Sequence, residues 1–107
     1  MAKGIGGMGN LFKQAQEMQA KLARVQEDLG HRTVEGSSGG GMVRVTVTGQ
    51  LNLASIKIDP AVVNPDEREM LEDLVLAAVN EGMRLAREMA AEEMSKITGG
   101  MKIPGLT

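Results

Sequence analysis

The 107-residue chain carries twelve lysines and arginines against fourteen aspartates and glutamates, a formal net charge of −2. It has no cysteine, which excludes a disulfide framework, a thiol nucleophile and a thiolate metal site. Phe12 is the only Phe, Tyr or Trp, so no aromatic platform exists for stacking single-stranded bases.

In chain order, residues 1–9 are glycine-rich and read as a flexible N-terminus without the continuous apolar stretch of a secretory leader. Asn10 is a suitable N-cap for a first helix. Leu11, Ala15, Met18, Leu22, Val25 and Leu29 follow at spacings of 4, 3, 4, 3 and 4, a heptad seam that packs either on its own domain or on a second subunit. Gly30 supplies the stop.

From Arg32 to Asp59 the period changes to two. Thr33-Val34-Glu35 reads as a short strand and Gly36 to Gly41 as a loop. Val43, Val45 and Val47 alternate with Arg44, Thr46 and Thr48 as a strand with one buried face. Gly49-Gln50 suits a two-residue type II′ turn. That turn pairs Thr48 with Leu51, sets Val45 opposite Ala54 and Val43 opposite Ile56, and sends Leu51 and Leu53 to the opposite face with Arg44.

Asp59-Pro60 ends the sheet, and Ala61 to Val63 suits a helical turn. Asn64-Pro65-Asp66-Glu67 combines an N-cap, a proline at the first helical position and early acids. The chain then reads as one helix to about Lys96, roughly 45 Å long at 1.5 Å per residue. A compact chain of this length has a radius of gyration of only about 13 Å. Part of the rod therefore projects or is covered by a second subunit. The expected body is the Asn64-to-Ala78 half and the expected arm is the Arg84-to-Lys96 half. Gly82, costing about 1 kcal/mol relative to Ala inside a helix, implies close packing there. Gly99-Gly100 ends the helix, leaving 99–107 as a short flexible tail.

Two glycine patterns imitate chemistry. Gly4-Ile5-Gly6-Gly7-Met8-Gly9 matches the dinucleotide fingerprint without the preceding strand that it needs. Gly36-Ser37-Ser38-Gly39-Gly40 matches a nucleophile elbow, but a strand follows it and the only histidine, His31, lies upstream. His31 reads as an exposed loop residue. The carboxylates sit at helix-surface spacings beside bases, as in Glu17–Lys21, Glu81–Arg84 and Arg84–Glu88, and read as solvated ion pairs. Nothing here assembles a catalytic, cofactor-binding or metal-binding site, and no apolar run approaches the roughly 20 residues of a membrane span. A soluble, cytoplasmic, non-enzymatic protein is expected.

The remaining candidates are basic. The first 32 residues hold five bases against three acids, whereas residues 59–97 hold ten acids against four bases. Lys13, Lys21 and Arg24 fall within about 80° on a helical wheel, with Glu17 and Asp28 in the same stripe. Lys3 and Lys102 lie near the termini, away from competing acids.

The whole pattern resembles the YbaB/EbfC family of bacterial nucleoid-associated proteins. The resemblance runs from Gly9-Asn10-Leu11 and Lys13-Gln14-Ala15-Gln16, through Gly36 to Gly41 and Val43-Arg44-Val45-Thr46-Val47. It continues in Ile58-Asp59-Pro60, Met70-Leu71-Glu72-Asp73-Leu74-Val75, Ala77-Ala78-Val79-Asn80 and the ending Gly99-Gly100-Met101-Lys102-Ile103-Pro104-Gly105. It implies an α+β domain over residues 10–98, αβββα in order, with long terminal helices flanking a three-stranded antiparallel sheet and a tweezer-like homodimer. It further implies largely non-sequence-specific binding of double-stranded DNA, a role in nucleoid organisation and gene regulation, no enzyme activity, no cofactor and no small-molecule substrate. Carried onto this chain, the DNA-contacting residues are Lys13, Lys21, Arg24, Arg84, Arg87, Lys96 and Lys102. The alternative from another class is a dimeric protein-interaction scaffold using the helix seams and the Leu51/Leu53 face.

Overall fold

The computed structural model describes residues 2–97. Helix α1 (Ala2–His31) leads into strands β1 (Thr33–Ser38), β2 (Val43–Thr48) and β3 (Leu53–Ile58), and helix α2 (Arg68–Ile97) closes the described chain. The sheet is antiparallel, ordered β1-β2-β3. The expected αβββα order is therefore present. The molecule is long: 78 × 22 × 16 Å, with a radius of gyration of 20.7 Å against about 13 Å for a compact chain of this size.

The core forms where α2 crosses β1 and β2. Val43, Val45 and Val47 point to one side of β2 and are essentially inaccessible, as are Ala78 and Ala86 on α2. Val34, Leu71, Leu74, Val75, Val79 and Met83 surround them. The crossing is unusually close because two glycines meet in it. A Cβ on Gly36 would strike the Gly82 nitrogen and the Ala78 carbonyl, and one on Gly82 would lie 2.8–2.9 Å from methyls of Val47 and Val45. The mid-helix glycine thus serves close packing, as its position implies.

Several local expectations change. β1 runs to Ser38 instead of ending at Glu35, since Gly36 is the point where the strand passes beneath α2. The loop shrinks to Gly39–Gly41, all three with positive φ. At the next hairpin, Leu51 N–H donates to the Thr48 carbonyl and Thr48 N–H to the Asn52 carbonyl, both at 2.9 Å. Leu51 has φ of 66°. The connection is therefore a three-residue loop closed by a left-handed residue, not a two-residue type II′ turn. A bulge at Ala54 adds a second step, so Val45 faces Ile56, Val43 faces Ile58 and Val47 faces Leu53. Leu53 consequently leaves the Arg44 face and joins the valine face, which dissolves the expected Leu51/Leu53 surface.

Helix starts shift as well. Asp59 accepts from the Ala61 N–H at 2.8 Å and caps a 3₁₀ turn, Pro60–Val62. Asn64 accepts from the Asp66 N–H at 3.0 Å and caps a second, Pro65–Glu67, which feeds α2. At the other end, α1 begins at Ala2, so its backbone runs through the glycine-rich 1–9 segment and Asn10 lies inside it. Once a long helix exists, each added residue gains a hydrogen bond without new nucleation, so glycines need not stop it. The proposed 99–107 tail lies outside the described residues.

Candidate nucleic-acid interface

The two helices are joined at the C-terminal end of α1. The last carbonyls of a helix lack intrahelical partners, and here the β2–β3 hairpin supplies them. Gly49 N–H donates to the Leu29 carbonyl at 2.9 Å, and the Gln50 amide donates to the Gln26 carbonyl at 2.7 Å. Gly30 does not end the helix, which continues to His31. Its missing side chain is explained by Gln50, whose Nε2 lies 2.7 Å from where a Cβ would be. Leu29 is buried at this junction.

From there α1 runs back alongside α2 in the opposite direction. Gln26 and Leu29 share a groove with Arg87, Ala90, Ala91 and Met94. One step further out, Lys21, Arg24 and Val25 share a cleft with Glu93, Lys96 and Ile97. Residues 8–20 of α1 are all exposed, so among the described residues this stretch is the arm that stands free. The sequence assigned the projection to Arg84–Lys96, but that segment carries the buried Ala86 and is flanked by α1.

The cleft gathers three of the seven expected residues, Lys21, Arg24 and Lys96. Its one carboxylate, Glu93, also binds a cation outside the lining that sequence reasoning missed. Arg32 Nη1 donates to Glu93 Oε1 at 2.7 Å, and Lys96 Nζ donates to the same oxygen at 3.1 Å. Both bonds, Arg32's foremost, hold the Glu93 carboxyl below the usual carboxylate range. Arg32 and Glu93 are 61 positions apart, so only their opposite charge could have hinted at the pair.

The other expected residues are dispersed. Arg84 donates to Glu88 at 2.9 Å, so one of the three expected surface pairs is formed. Arg87 lines the neighbouring groove by Gln50 and Leu51. Lys13 stands on the free arm, and Lys102 lies outside the described residues. Among the described residues, Lys13, Lys21, Arg24 and Arg87 form no ion pair within the chain. Four cations around one occupied carboxylate can receive phosphate oxygens by charge-assisted hydrogen bonds. By contrast, the acids Asp66, Glu67, Glu69, Glu72 and Asp73 cluster at the start of α2, on the far side of the sheet crossing.

Comparison with known proteins bears on the family and the fold. The sequence model of the YbaB/EbfC DNA-binding family matches residues 4–101. A nucleoid-associated protein of Moorella thermoacetica is 56% identical over 102 residues, covering 95% of this chain and 98% of that one. Another from Caldanaerobacter subterraneus subsp. tengcongensis is 56% identical over 110 residues, with 99% of both chains covered. Among solved structures, an uncharacterized Helicobacter pylori protein, HP0035, superposes with a TM-score of 0.75 at 22% identity, over 83% of this chain and 94% of that one. That likeness concerns the fold.

Proposed function

The chain belongs to the YbaB/EbfC DNA-binding family, and on that footing we propose that it is a cytoplasmic, nucleoid-associated protein that binds double-stranded DNA through phosphate contacts. The observation that carries this reading is the two-helix cleft, where Lys21 and Arg24, without an ion pair among the described residues, stand beside Lys96 and the Glu93 that also binds Arg32. Long cationic side chains on a rigid helix pair suit the regular backbone of a duplex. Contacts to phosphate oxygens carry no base information, so recognition is largely independent of sequence. Lys13 extends the contact along the arm, Arg84 and Arg87 flank it, and Lys102 adds a contact from the C-terminal segment.

The protein acts as a homodimer in this reading. All six residues of β3 are exposed, and Ile56 and Ile58 stand on the valine face beyond the edge of α2. Beside them, Ile58, Leu71, Val75, Leu76 and Val79 line an apolar groove. A second copy covering this face would remove both the apolar patch and the unpaired strand edge.

Duplex titration over a range of salt concentrations tests the DNA reading. Affinity should fall linearly with salt on logarithmic axes, by about 0.9 per phosphate contact. Replacing both Lys21 and Arg24 by Ala should weaken binding to all sequences alike and reduce that slope by roughly 1.8 for each protomer that contacts the duplex. Absence of duplex binding at low salt would overturn the reading.

A further inference from the structure

The heptad seam of α1 has two halves with different fates. Leu22, Val25 and Leu29 lie where α1 runs beside α2, and Leu29 is 1% exposed. Beyond the level of Ile97 the same rows continue with no cover from the described residues: Met18 is 41% exposed, Leu11 and Phe12 67% each, and Met8 73%. DNA cannot account for these side chains, since a phosphate backbone offers apolar groups no partner.

We propose that the N-terminal halves of α1 from two copies pair antiparallel through Met8, Leu11, Ala15 and Met18, linking two protein bodies end to end. The seam is continuous with a helix–helix interface already formed within the chain, so its periodicity is suited to another helix. In the antiparallel register Met8 meets Met18 of the second copy and Leu11 meets its Ala15, placing large against small in the two-fold-related layers. An isologous contact of this kind closes on itself. The positions flanking the seam, Phe12, Gln14 and Gln19, carry no charge, so like copies meet without repulsion. Lys13 and Glu17 fall on the outer face. Antiparallel pairing also sets the two sheet bodies at opposite ends, where a parallel pair would force them side by side. One consequence, a bridge between two duplex contacts, rests on the DNA-binding reading; the pairing itself does not.

Sedimentation of the full chain in high salt without DNA tests the pairing. The native protein should form a species twice the mass of that formed by the Leu11→Gln/Met18→Gln double variant, whose half-association concentration should rise by about tenfold or more. Both positions are exposed, and circular dichroism should confirm an unchanged fold. Because the native chain has no cysteine, single substitutions give an independent readout of geometry. Leu11→Cys mixed with Ala15→Cys should yield mixed disulfides in preference to links between two copies of Leu11→Cys. Equal masses for native and double variant would overturn the proposal. So would links mainly between two copies of Leu11→Cys.

Discussion

Gly36 and Gly82 determine how closely α2 can lie on the sheet. Gly36 lacks the atom that would collide with the α2 backbone and Gly82 the one that would collide with Val45 and Val47 of β2, and the Gly36 site is bounded by backbone that cannot rotate away. Gly36→Ala should therefore separate α2 from β1 and cost about 3 kcal/mol, at the upper end of overpacking penalties. Urea denaturation would measure it, and a loss under about 0.5 kcal/mol would show that the crossing can relax. Gly82 could be flagged from sequence as a glycine inside an otherwise good helix. Gly36 could not, because a glycine before Ser-Ser-Gly-Gly-Gly reads as part of a loop. Leu51 is a similar case: a leucine gives no local sign that it will adopt positive φ.

Among the elements, the α1–α2 junction depends on contacts between residues distant in sequence. Glu93 accepts from Arg32 and Lys96, and its carboxyl titrates below the ordinary glutamate value of 4.5. The pair's contribution is complete above that value and is lost as acid protonates Glu93 in the folded protein. Amide exchange at the C-terminal turn of α1 should therefore accelerate on acidification below about pH 4.5, relative to the rest of the fold. A Glu93→Gln variant should exchange faster at neutral pH and lose this acid response. An identical acid response in both proteins would remove Glu93 from the junction. The strands illustrate how local rules accumulate error. Alternation correctly assigned the valine face, yet one extra loop residue and one bulge moved the register by two positions and brought Leu53 across. Even-numbered slips preserve the face, so Ile56 was placed correctly although its partner was not.

For the molecule as a whole, 78 Å of length in a 107-residue chain leaves apolar surface at both the arm and the β3 face. The homodimer reading locates the body contact at Ile56 and Ile58. Replacing both with Gln should halve the mass in solution, independently of substitutions on the arm. Light scattering would show this, and an unchanged mass would move the body interface elsewhere. Of the basic residues expected from sequence, Lys21, Arg24 and Lys96 share a cleft, while Arg84 is held by Glu88 and Arg87 lines a different groove.

By itself the sequence determined the order and type of the elements, the family and the buried face of β2, because periodicity, caps and glycine breaks act over a few residues. Only the tertiary structure decided which helix half stands free and that Arg32 meets Glu93. It alone also decided that Gly36 faces Gly82, and that Leu53 joins the core side of the sheet. Those outcomes depend on where two elements cross and how far a loop carries the chain. The energies that choose between such arrangements arise from packing atoms distant in sequence, which no local pattern records.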